Sequence, residues 1–98
     1  MDIEELLEIA KTQTSERFKI KLSEFVYQHP QFHNLNPQNQ KMIFDIIYKH
    51  IDSIRKGLGI PESSLRQENY DLYEKRMSLG LSEKDLADIK DILGLFKE

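Results

Sequence analysis

Apolar residues recur along this chain at three- and four-residue intervals, the spacing that lines one face of a helix. The first stretch free of glycine and proline, residues 2–29, carries Ile3, Leu6, Leu7 and Ala10, then Phe18, Leu22, Phe25 and Val26. Between them lies a polar patch, Lys11 to Glu16. The pattern predicts two helices, 2–13 and 15–29, with Ser15 capping the second. One long helix with a wet side is the alternative, because the stripe keeps its phase across the patch. Pro30 to Asn36 reads as a loop. Asn36 then caps and Pro37 opens a helix over 37–57, since proline at the first helical position has no amide hydrogen to leave unpaired. Its face, built on Ile43, Ile46, Ile47, Ile51 and Ile54 and widened by Met42, Phe44 and Tyr48, is the most apolar in the chain and predicts the central element. Gly57 and Gly59 end it.

Pro61 opens a fourth helix over 61–79, with Leu65, Leu72, Tyr73 and Met77 expected inward and Gly80 closing it. Ser82 and Asp85 form a capping-box pattern ahead of a last helix, 82–97, whose stripe is Leu86, Ile89, Leu93 and Phe96. No segment alternates with the two-residue period of a strand, so no sheet is expected. Burying these stripes together predicts an all-α fold: a compact four- to five-helix bundle with short Gly/Pro corners. The 98 residues suit a single domain spanning 1–98.

Composition narrows the setting. With 39% apolar and 32% charged residues the chain is too apolar for disorder and too polar for a membrane protein. No apolar run approaches the ~20 residues that cross a bilayer. The acidic start, Met1-Asp2-Ile3-Glu4-Glu5, is unlike an export signal. Cysteine is absent, which removes disulfides, thiolate metal sites and cysteine nucleophiles. A cytoplasmic location is the resulting expectation. The net charge of −3 is unevenly spread. Residues 1–16 and 82–98 are acidic, while the middle carries a modest basic excess that permits nucleic-acid contact without requiring it.

Candidate chemistry is sparse. His29 and His33 sit close together, but a zinc site needs three or four ligands and no acid adjoins them; His50 lies on the polar flank of another helix. Both loop histidines read as solvated, and no metal or cofactor is expected. Asp85, Asp88 and Asp91 fall opposite Leu86, Ile89 and Leu93 and read as solvated surface acids with no catalytic role. Gly57-Leu58-Gly59 lacks the Gly-Lys-Ser/Thr of a phosphate loop and reads as a helix end. Ser63-Ser64 lacks the glycines of a nucleophile elbow. No small-molecule substrate is evident, and the chain is expected not to be an enzyme.

Two binding readings remain. In the first, the chain is a protein–protein interaction or regulatory module that acts by binding or occlusion. Its partner is an unidentified protein or a second copy of itself, and its contact residues are Ile3, Leu7, Tyr27, Phe32 and Tyr70. In the second, Ile54 to Gln67 carries the function. Leu58, Gly59, Ile60, Ser63, Ser64 and Leu65, with Ile54 one turn earlier, resemble the turn and recognition-helix start of helix-turn-helix regulators. Arg55 stands where the motif usually has a small residue, and Glu68 where it has a late apolar one. The resemblance implies duplex DNA as partner, with Ser63, Ser64, Arg66 and Gln67 in the major groove and Arg55 and Lys56 on phosphates. The run Tyr70 to Arg76 interleaves aromatics with bases; Tyr73 is expected half-buried with its hydroxyl at the surface.

Overall fold

A computed structural model describes residues 2–97. The chain is all-α: among the described residues there is no strand, only an isolated parallel bridge between Ile60 and Lys97. The helices are α1 (Ile3–Thr12), α2 (Ser15–Tyr27), α3 (Pro30–His33), α4 (Pro37–Lys49), α5 (Ile51–Arg55), α6 (Glu62–Glu74), α7 (Arg76–Leu79) and α8 (Glu83–Gly94). Among the described residues no helix is long and apolar enough to cross a membrane.

The helix ends follow the local chemistry closely. Asn36 accepts the amide of Asn39 at 2.9 Å, with Pro37 in the first turn. Ser82 and Asp85 exchange both bonds of a capping box, at 3.1 and 3.0 Å. Gly80 ends α7 at φ 67, a left-handed conformation that glycine reaches without steric cost. The polar patch after α1 is a true break. The cap of α2 is Thr14, whose hydroxyl accepts the Arg17 amide at 3.2 Å, and Ser15 is already helical.

Elsewhere the elements are more divided than the apolar pattern predicts. The expected helix at 37–57 stops and restarts at His50, and the one at 61–79 does so at Lys75. Neither position holds a glycine or proline, so nothing in the residue types marks the break. The 30–36 segment, expected as a loop, contains α3. Pro30 starts this single turn, and Phe32 and Leu35 are carried into the core.

The core joins every long element: Leu6 and Ala10 of α1, Phe18, Leu22, Phe25 and Val26 of α2, Ile43 and Ile47 of α4, Leu65 and Leu72 of α6, and Ile89, Ile92 and Leu93 of α8. The 37–57 segment, expected at the centre, places Ile43, Ile47 and Ile54 in the core, and α8 lies against α3, α4 and α6. Its end is fastened by Phe96, fully buried and edge-on to Phe25 at 5.7 Å between ring centroids. The Ile60 amide donates to the Phe96 carbonyl at 2.7 Å and closes the bridge.

Four expected orientations are corrected. Tyr73 and Met77 point outward. The buried residues of the fourth helical stretch are Leu65 and Leu72, with the polar Asn69 partly buried between them. Asp88, expected on the outer side of α8, is buried beside Ile89 and Ile92, with Lys84 3.9 Å from its carboxylate. His50, expected on a polar flank, is mostly enclosed at the α4–α5 break and lies 3.8 Å from Glu68.

Phe96→Ala would leave a cavity at the joint of α2, α8 and the Ile60 corner. The expected loss is about 3–5 kcal/mol, read as a lowered denaturant midpoint, the usual range for truncating a buried phenylalanine.

Candidate functional site

Helix α6 presents Glu62, Arg66, Asn69 and Tyr73 along one edge, at four- and three-residue steps that keep them on a single face. Helix α8 packs beside it and presents Leu86, Ala87, Lys90, Gly94 and Lys97 toward the same seam. Between them run two adjoining hollows, of about 260 and 180 Å³, that share Asn69 and Lys90. One end is apolar, walled by Tyr73, Leu86 and Ala87. The other is charged, walled by Glu62, Arg66 and Lys97, with Gly94 leaving room because it has no side chain.

Charge in this groove is predominantly basic. Glu62 Oε1 sits 3.3 Å from Arg66 Nη2 and 3.7 Å from Lys97 Nζ, so one carboxylate serves two cations. Lys90, at the junction of the hollows, has no ion-pair partner among the described residues. Tyr73, on the apolar wall, is 51% exposed, and Tyr70 and Met77 of the same helical stretch are exposed as well. Arg76 lies over the Tyr73 ring at 4.0 Å and donates to the Tyr73 carbonyl at 2.7 Å, which holds that ring in place.

Other polar clusters have internal roles. Lys49 Nζ meets Glu68 Oε1 at 2.7 Å. Hydrogen bonding to that carboxylate raises the Lys49 pKa and keeps it a cation at neutral pH. The nearby His50 Nε2 is shut off from solvent without a hydrogen-bond partner, which leaves it out of reach of any substrate. His29 and His33, expected as solvated, each bond a backbone carbonyl of α2, Phe25 at 2.9 Å and Tyr27 at 2.6 Å, and so help close the end of that helix. Among the described residues no group of three or more histidines, cysteines or acids is placed to hold a metal ion.

The residues singled out from sequence do not gather in one place. Ile3 and Leu7 are half-buried on α1 and pack against the core. Tyr27 is exposed at the end of α2, its ring edge-on to Phe32 at 4.9 Å. Phe32 is fully buried, a core side chain with no contact surface to offer, because α3 turns it inward. Tyr70 is exposed on α6 but does not line either hollow of the groove.

Of the residues assigned to DNA, Arg55 is already engaged. Its guanidinium donates to Ser15 Oγ at 2.8 Å and to the Gln13 carbonyl at 3.4 Å, tying α5 to the α1–α2 corner. Lys56 is exposed, Ser63 is exposed and Ser64 is half-buried. Arg66 pairs with Glu62, and Gln67 donates to Asp71 Oδ1 at 2.9 Å. The motif's turn residue Leu58 is exposed while Ile60 is buried. Asn69, Ala87, Lys90 and Gly94 escaped the sequence reading, since each is unremarkable until α6 and α8 lie side by side.

Comparison with protein-family models, with curated proteins and with solved structures returns no significant match for this chain.

The hydrogen bond from Arg66, with the charges of Lys97 and Arg66, holds the Glu62 carboxyl below its ordinary pKa. A depressed folded-state pKa stabilises the fold above the unfolded value, and that stabilisation disappears as pH falls through the folded value. An NMR titration of Glu62 is expected to give a midpoint below that of a model glutamate, moving upward in Arg66→Ala. Solvent screening keeps the effect on stability small.

Proposed function

We propose that this chain is a protein-binding module that acts by docking on, or occluding, a partner protein through the α6–α8 groove and the exposed aromatics of α6, with no catalysis of its own. The observation that carries this reading is a set of exposed large side chains. Tyr73 stands half-exposed in the groove wall, and Tyr70 and Met77 of the same helical stretch stand in solvent, although the core has no need of them. Tyrosine supplies large contact area with little rotamer entropy to lose, and methionine adapts to varied surfaces. Each hollow by itself is smaller than the roughly 300–1,000 Å³ of most small-molecule sites. They suit single side chains of a partner better than a metabolite. Cytoplasmic residence belongs to the same proposal.

Duplex DNA is the weaker reading. Helix α6, the recognition helix of that reading, bears Glu62, Glu68, Asp71 and Glu74 against Arg66 alone. An acidic helix repels phosphates, whose neutralisation supplies most non-specific affinity for DNA. The C-terminal segment also sits at its first turn, with Phe96 bonded to Ile60 and Lys97 near Glu62.

A photo-crosslinking amino acid placed at Tyr70 or Met77 is expected to give discrete protein adducts in cell extract. The same group at Asp45, on exposed α4, should give none. Equal labelling at all three positions, or no adducts at 70 and 77, would count decisively against the groove as the contact site.

A further inference from the structure

The geometry points to an acidic peptide segment bearing one apolar side chain as the occupant of the α6–α8 groove. This deepens the protein-binding reading and rests on it. Three cations line the groove, Arg66, Lys90 and Lys97, against one lining acid, Glu62, on a chain whose net charge is −3. The strip is therefore opposite in sign to the molecule that carries it. Glu62 is shared by Arg66 and Lys97, so Lys90 is left as the cation that an incoming carboxylate meets without displacing an existing pair. One turn or so along α8, Ala87 and Leu86 form with Tyr73 a hollow whose exposed wall is mainly apolar. A small residue at position 87 leaves room there for an aliphatic or aromatic side chain. Carboxylates over Lys90 and Lys97 with an apolar anchor against Tyr73 would satisfy both ends at once.

The placement of charge favours a single segment over a bulky polyanion. A chain lying along the seam meets the three cations. A duplex spanning α6 would also meet Glu68, Asp71 and Glu74 on its far side. A second copy of this chain is disfavoured as the source of the segment. Its acidic stretches are α1 and α8, whose apolar sides, Leu6 and Ala10 in one and Ile89, Ile92 and Leu93 in the other, are already buried in its own core.

The test uses the full chain and short synthetic peptides containing a single leucine flanked by glutamates, followed by backbone amide shifts in NMR. The glutamate peptide is expected to move Asn69, Ala87, Lys90 and Gly94 in one saturating process. Its lysine-flanked twin and a glutamate peptide with glycine for leucine are expected to leave them in place. Lys90→Glu should weaken binding about tenfold or more. Lys41→Glu, the same charge change on exposed α4, should leave affinity within about twofold. Equal response to the acidic and basic peptides would overturn the charge assignment while leaving the groove as a contact site. Shifts at α1 or α4 with none in the groove would overturn both. A duplex oligonucleotide moving the same four residues more strongly, or their movement with protein concentration alone, would assign the groove to DNA or to self-association and overturn the proposal.

Discussion

The seat of α8 is the constraint on which the rest of this molecule depends. Phe96 is fully buried against Phe25, and its carbonyl accepts the Ile60 amide at 2.7 Å. That contact joins the end of the chain to the corner between α5 and α6. Because Ile60 is itself fully buried, the corner cannot shift without opening the core. The consequence is that α6 and α8, which begin about twenty residues apart in sequence, are fixed side by side. The groove between them is thus a product of core packing. Its walls stand on rigid helices, which position side chains more accurately than loops do.

Much of the helical architecture was legible from residue types, because caps are local chemistry. Asn36-Pro37, Ser82 with Asp85, and Gly80 each need only their immediate neighbours to act, so their meaning is present in a few consecutive letters. The breaks at His50 and Lys75 were not legible for the opposite reason. Both lie in continuous helical periodicity, and where tertiary packing interrupts a helix its residue types carry no signal of it. The sheltering of Asp88 and the exposure of Met77 have a related origin. A core-side row that includes the polar Asn69 breaks the rule that apolar residues define the core face, as does the buried Asp88, and a pattern read on polarity alone then slips by one position.

The candidate site was less legible than the fold. Tyr70 could be noticed as an aromatic left over from the core. Lys90 could not, since a lysine between Ile89 and Asp91 in an amphipathic helix has no distinguishing context. What gives it meaning is its position across the groove from Asn69 on another helix, with no ion-pair partner among the described residues. Arg55 shows the converse. In the sequence it is a free basic residue beside a turn; in the fold its two terminal nitrogens donate to Ser15 and the Gln13 carbonyl, and its role is to hold α5 on the α1–α2 corner. A charged residue's role therefore depends on whether its partners are internal, and only the packed structure decides that.

The opposition between a negative molecule and a positive groove has its own physical logic. At physiological ionic strength charges are screened beyond about 8 Å, so the net charge of the chain acts weakly on a partner at a distance. Within the groove the separation falls to contact range, and the local cations dominate. Recognition of an acidic segment then gains little from long-range steering and depends on close fit, with the apolar hollow and Lys90 engaged together. Such an arrangement selects against generic polyanions, which on contact would also meet the acidic flank of α6. It also separates recognition from folding. Tyr70, Tyr73, Met77 and Lys90 lie outside the core, so the surface they form can vary in chemistry while Phe96, Ile60 and Leu93 continue to hold the two helices in register.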